Sequence, residues 1–254
     1  MTNSSIVASG KKFDIGCRVV LWNEEEGLSF YPKGGYTPRK LSYKQLQNVV
    51  KCFVLHHSVT YTAHATFRGL LGRKLSVNFI IDDDVNDEGY ATIYQCLDIK
   101  DYGWSHKPLN SAGPGVEISY HPQAWENKNL YSETNVKKWG VQPHNIEKDK
   151  VHGRGFNVFA PTEAQIKSSI ALMAGMCRAF PNMKGTFPKD QDNQIYKTVA
   201  NEQSNMLAHF HITRNKVDPM GFPFERAEKE ITEINTFWCP QNKNLWQEIR
   251  EWLK

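Results

Sequence analysis

Five side chains in two distant stretches of this chain are of the types that hold a metal ion. His56 and His57 close the apolar run Cys52-Phe-Val-Leu55. His209, His211 and Asp218 stand in Leu207-Ala-His-Phe-His-Ile-Thr-Arg-Asn-Lys-Val-Asp-Pro219. Two imidazoles and one carboxylate, as in the set His56, His209 and Asp218, fill three corners of a tetrahedron around zinc. The fourth corner is left for water, which is the catalytic rather than the structural form of a zinc site. That chemistry is hydrolysis. Each stretch also has a plainer reading. A lone His at a strand end is most often a core imidazole, and Asp-Pro is a common turn signal. Side chains alternate along a strand, so only one of His56 and His57 can face a shared site. In the later stretch His211 competes with His209, because both share one face of an extended chain.

Two charged residues stand where they could act on a substrate. Lys216 lies two positions before Asp218 and, in near-extended chain, points the same way; its ammonium would suit an oxyanion. Its plainer reading is a solvated loop lysine. Glu117 interrupts the apolar stretch Gly115-Val-Glu-Ile-Ser119, where a carboxylate is either ion-paired or poised as a base.

The elements that must position these residues alternate irregularly between strand and helix. This predicts an α/β fold with a central mixed sheet flanked by helices. Strands are expected at 17–22, 52–56, 77–82, 91–97 and 115–119. Helices are expected at 42–50 behind a Ser cap, at 63–71, at 161–180 with Thr162 as cap, at 224–234 and at 245–253. In the third of these, Ile166, Ile170, Met173, Ala174 and Cys177 form the expected buried stripe. Residues 120–160 and 181–203 are polar and read as long loop insertions. The division expected is an N-terminal extension over 1–50, packed on the core, and a catalytic domain over 51–254.

Composition narrows the function. The 254 residues are 40% hydrophobic and 12% aromatic, enough for one large domain with a substantial core. Mean hydropathy is -0.56, and no apolar run approaches the roughly 20 residues of a membrane span. The N-terminus lacks the charged and apolar regions of a secretory signal, so a cytoplasmic product is expected, reaching a cell wall through a holin or a phage particle. The five Cys are scattered and odd in number, without a Cys-x-x-Cys pair; this excludes a disulfide scaffold and a zinc ribbon. The net charge of +4 is spread out and argues against nucleic acid as partner.

Six stretches, in order, resemble the zinc-dependent N-acetylmuramoyl-L-alanine amidases, the type shared by phage amidase-lysozymes and peptidoglycan recognition proteins. Phe53-Val-Leu-His-His-Ser-Val-Thr60 looks like the strand whose first His is a ligand. Leu75-Ser-Val-Asn-Phe-Ile-Ile-Asp82 and Ala91-Thr-Ile-Tyr-Gln-Cys-Leu-Asp98 resemble the two strands that follow it. Tyr102-Gly-Trp-Ser-His106 is similar to a Trp/Gly-x-His-Ala segment, and Gly113-Pro-Gly-Val-Glu-Ile118 to a Gly-Ile-Glu-Leu strand. His209-Phe-His-Ile212 with Lys216-Val-Asp-Pro219 looks like the family's ending.

The resemblance implies His56, His209 and Asp218 as zinc ligands, and so decides against His211. It implies Lys216 as transition-state stabiliser, Glu117 as water-activating carboxylate, and Asn78 and His106 as substrate-binding residues. The activity it implies is cleavage of the amide between N-acetylmuramic acid and L-alanine in peptidoglycan or muropeptides. Trp104, Trp125 and Trp139 are candidates for stacking on sugar rings. The chain departs from the pattern at Asn78, where His is more usual, and at Val77, where some phage members carry Tyr. The alternatives are a peptidoglycan-binding module that does not cleave, and a zinc-stabilised structural component of a phage particle. A third keeps the chemistry on another muramyl or acyl amide.

Overall fold

The computed structural model describes residues 3–188 and 205–237. An antiparallel hairpin, β1 (Ser5–Ala8) and β2 (Lys11–Asp14), comes first, followed by β3 (Val19–Leu21) and the short β4 (Tyr36–Thr37). Helix α1 (Tyr43–Val49) begins at the expected cap. The Ser42 hydroxyl accepts from the Gln45 amide, and the Gln45 side chain accepts from the Ser42 amide. Then come β5 (Phe53–His57), α2 (Ala63–Gly72), β6 (Phe79–Ile81), β7 (Ile93–Gln95), β8 (Tyr102–Gly103) and β9 (Gly115–Ile118). The second half carries α3 (Glu133–Trp139), β10 (Ile146–Val151), β11 (Arg154–Phe159), α4 (Glu163–Ala179), β12 (Met206–Ala208), α5 (His209–Ile212) and α6 (Phe224–Phe237).

Six strands form the central sheet in the order β12-β5-β9-β6-β7-β3. All neighbours run parallel except β6 and β7. The mixed sheet flanked by helices is therefore as expected. Its strands are short and apolar because helices cover both faces. On one face Phe53, Leu55, Phe79, Ile81, Val116 and Ile118 pack in one cluster with α4. On the other, Ile80 packs with Ala63 and Leu70 of α2.

The stripe expected along α4 is buried, but so is nearly all of that helix, including Gln165, Ser168 and Ser169. Contacts with β2, β6 and α6 enclose it. Its polar residues bond outward to backbone: Ser168 donates to the Ala91 carbonyl at 2.7 Å and Gln165 to the Ser119 carbonyl at 2.7 Å. This satisfies groups whose burial would otherwise cost stability.

Residues 120–160 differ from the structureless insertion expected. They hold α3 and the six-residue hairpin β10–β11. Alternation was hidden because most side chains of Ile146-Glu-Lys-Asp-Lys-Val151 face solvent. The segment is fastened to the core by His144, whose Nε2 lies 3.1 Å from both carboxylate oxygens of Asp83, while Nδ1 donates to the Ala160 carbonyl at 2.7 Å. Residues 189–203 of the second expected insertion, and the helix expected at 245–253, lie outside the described residues. Among the described residues no helix is long and apolar enough to cross a membrane.

Candidate metal centre

The parallel register of β5 and β9 sets His56 directly beside Glu117, and β6 adds Ile80 on the other side of Glu117. In-register neighbours project from the same face, so His56 and Glu117 share the face covered by α2. His57 falls on the opposite face, where its Nδ1 accepts from the Met220 amide at 3.1 Å. The neighbouring strand β12 ends where α5 begins, which places His209 at the first helical position. The later stretch is helical here rather than extended. That turn separates the two candidate imidazoles: His211 curls back so that its Nδ1 accepts from the Ala208 amide at 2.9 Å. Past α5 the chain returns, and Asp218 is held by a bond from the Phe210 amide to its carbonyl.

Three ligand-type atoms thus converge. His56 Nδ1, His209 Nδ1 and Asp218 Oδ2 form a triangle with every edge 3.0 Å. Tetrahedral zinc with bonds of roughly 2.0–2.2 Å places its ligand atoms about 3.3 Å apart, close to this spacing. The hydrogen-bond frame around His56 also suits a metal. His106 Nε2 donates to the Gly113 carbonyl at 3.2 Å, which leaves His106 Nδ1 as acceptor for the Ser105 hydroxyl at 2.7 Å, with His56 Nε2 facing it at 3.4 Å. A His56 proton on Nε2 suits this frame and leaves the Nδ1 lone pair facing the other two atoms. Burial, with His209 nearby, pulls His56 down to about 4, so its imidazole is neutral at ordinary pH. Burial would raise Asp218, but its contacts with His209 and His56 outweigh this and keep it ionised, well below the usual carboxylate range.

The remaining expected site residues fall at different depths. Glu117 and Lys216 line a cavity of about 630 Å³ above the triangle, together with Ser58, Thr66, Arg73 and Asn215. Glu117 Oε2 is buried without a hydrogen-bond partner among the described residues. Burial and the Asp218 charge push its carboxyl up to about 8, opposed by Arg73 and Lys216. His106 is not on the cavity wall. It is 1% exposed and lies behind His56, away from the cavity that a substrate would fill. Asn78 is also corrected: it is fully buried, and its Nδ2 donates to the Asp101 carbonyl at 2.9 Å. It braces the 98–101 turn and cannot touch a ligand in the cavity. Residue 78 directly precedes β6, and its side-chain amide is committed to the Asp98 and Asp101 carbonyls.

Sequence reasoning overlooked Thr66, Gly69, Leu70 and Arg73. Their spacing is one face of α2, a signal that was present in the helix once its partner face was known. It also overlooked Gly113, where an added Cβ would lie 1.7 Å from the Cys52 carbonyl oxygen. Only glycine lets this backbone approach β5 and offer its carbonyl to His106.

The family model for N-acetylmuramoyl-L-alanine amidase matches residues 46–221, more than half of the chain. The chain belongs to the N-acetylmuramoyl-L-alanine amidase family. A search of curated proteins finds no match. Among solved structures the chain is similar to AmpDH3 from Pseudomonas aeruginosa in complex with anhydromuramic pentapeptide. Identity is 14% over 82% of this chain and 65% of that one, with a TM-score of 0.46. The chain thus spans slightly less than two thirds of AmpDH3. It is also similar to the amidase LysC from Clostridium intestinale URNW (15% identity, 85% and 98% of the two chains, TM-score 0.42). A third is the hydrolase AmiA of Staphylococcus aureus with its ligand (11% identity, 87% and 84%, TM-score 0.49).

Proposed function

We propose that this amidase-family chain is a zinc-dependent hydrolase that cleaves the amide between N-acetylmuramic acid and L-alanine in peptidoglycan or its soluble fragments. The observation that carries the reading is the 3.0 Å triangle of His56, His209 and Asp218 at the base of a cavity that also holds Glu117 and Lys216. His56 and His209 supply neutral nitrogen donors and Asp218 an anionic oxygen, a donor set suited to zinc. A bound zinc ion supplies Lewis acidity that polarises the scissile carbonyl and makes water a competent nucleophile near neutral pH.

The protein's own groups complete the chemistry. Glu117 takes a proton from the attacking water and passes it to the leaving amine. Its raised carboxyl suits that exchange, because a base that titrates near the working pH both accepts and donates. Lys216 places positive charge where the carbonyl oxygen becomes anionic. Arg73, at the C-terminal cap of α2, adds a second cation to the cavity wall and biases the site toward substrates carrying carboxylates, such as peptide stems. His106 fixes the tautomer and tilt of His56. Residues 1–50 serve as an N-terminal extension packed on the amidase domain over 51–254, to whose sheet they lend the edge strand β3.

The test is release of L-alanine-bearing peptides from purified peptidoglycan, with and without chelator. Chelator-sensitive release with new amino termini is expected. A zinc-loaded protein that releases nothing from the wall or from soluble muropeptides would overturn the reading and leave a binding module of the same fold.

A further inference from the structure

The loop 213–223 delivers both Asp218 and Lys216, yet it holds no strand or long helix of its own. Its internal support is slight: the Lys216 amide donates to the Thr213 carbonyl at 3.2 Å, and the Phe210 amide to the Asp218 carbonyl at 3.2 Å. Met220 is tied to the core through His57 Nδ1 and the Tyr120 hydroxyl, and further support comes from the hairpin β10–β11. At its tip, His152 Nε2 donates to the Lys216 carbonyl at 2.9 Å. Lower down, Asp149 Oδ2 accepts from the Gly221 amide at 2.7 Å, and Gly221 packs so closely on Val158 and Ala160 that an added Cβ would lie 3.0 Å from Ala160 Cα. These contacts bracket Asp218 on both sides. The hairpin is itself anchored at its base through His144 and Asp83.

The turn chemistry shows that the tip residue does more than turn the chain. His152 and Gly153 both have positive φ, 52° and 78°, as the two central residues of a type I′ hairpin do. Asn-Gly is the pair that such a turn favours. Histidine stands there instead, with a side chain long enough to reach the Lys216 carbonyl.

We propose that the β10–β11 hairpin positions the Lys216–Asp218 loop, and that His152 is a positioning residue for the amidase reaction. The proposal rests on the metal-site reading above. It is tested with two substitutions in the full chain. His152→Asn supplies the preferred turn residue but falls about one bond length short of the carbonyl; His152→Gln restores the reach. Thermal stability of His152→Asn should equal or exceed that of the parent. Its kcat on peptidoglycan should fall about tenfold with KM changing less than twofold, the size expected for loss of one orienting hydrogen bond. Zinc affinity, read by competition with a chromophoric chelator, should weaken several-fold. His152→Gln should recover both. Amide exchange at Lys216 and Gly221 should quicken in His152→Asn and not in His152→Gln. Parental kcat, zinc affinity and exchange in His152→Asn would overturn the proposal. If the parent binds no zinc and cleaves nothing, the metal-site reading fails instead, and the exchange measurement alone decides whether the hairpin holds the loop.

Discussion

The Glu117 carboxyl should make the stability of the metal-free protein fall as pH rises. Its group titrates at 4.5 in the unfolded chain and near 8 in the fold. The folded value is the raised one, so the fold binds this proton more tightly than the unfolded chain does. The stabilisation is therefore complete below 4.5 and is lost as pH climbs through 8. The full interval corresponds to about 5 kcal/mol at 1.36 kcal/mol per tenfold. Glu117 opens onto the cavity and is only half-buried, so solvent screening reduces the expected effect to about 1–2 kcal/mol. His56 and His57, both drawn down to about 4, act in the opposite sense: their contribution is present above 6.5 and is lost as pH falls toward 4. That background is common to the parent and to Glu117→Gln, so the comparison isolates the carboxyl. Urea unfolding with chelator at pH 5 and pH 8.5 should show the parent losing about 1–2 kcal/mol more than Glu117→Gln across the interval. Restoring zinc should shrink the difference, because a nearby cation favours the carboxylate. Parallel losses in the two proteins would refute the assignment of a raised carboxyl at this position.

Other perturbations separate the layers of the site. His56→Ala should abolish zinc binding and turnover together, checked by metal analysis of the purified variant; full activity would end the ligand assignment. Lys216→Ala should retain zinc while kcat drops by roughly 10²–10³, as for loss of an oxyanion donor. His106→Phe keeps the ring's volume but removes the acceptor behind His56. Zinc affinity should weaken about 10–100-fold, the range typical of outer-shell partners. Gly113→Ala should destabilise the fold by about 2 kcal/mol or more, read from the urea midpoint, since neither backbone at that crossing can yield easily.

Much of the sheet could be read from the chain because each of its strands is a short, mostly apolar run, and the caps Ser42 and Thr162 mark helix starts by the same chemistry. The metal triangle was readable from residue type, but the preference for His209 over His211 came from family resemblance. In the fold it follows from a single helical turn at 209–212 that a strand-like reading of Leu207–Ile212 could not contain. Asn78 and His106 were misjudged for one shared reason. Motif position tells which segment lies near the site, whereas a side chain's depth depends on packing between segments far apart in sequence. The hairpin β10–β11 was hidden by its own exposure, since polar side chains on both faces leave no alternating pattern to detect.

The edge strand β3 has a practical consequence. It lies before residue 46, where the match to the family model begins, yet it pairs with β7 along Val19–Leu21 and completes the central sheet. A recombinant amidase domain cut at the family boundary would strip β7 of that neighbour and leave a row of bare backbone donors and acceptors beside an uncovered apolar surface. Unprotected edges of this kind recruit strands from other molecules. Such a fragment should precipitate or self-associate on expression even with every candidate ligand in place, and truncation experiments on this chain should begin from versions that keep the first strand pairings intact.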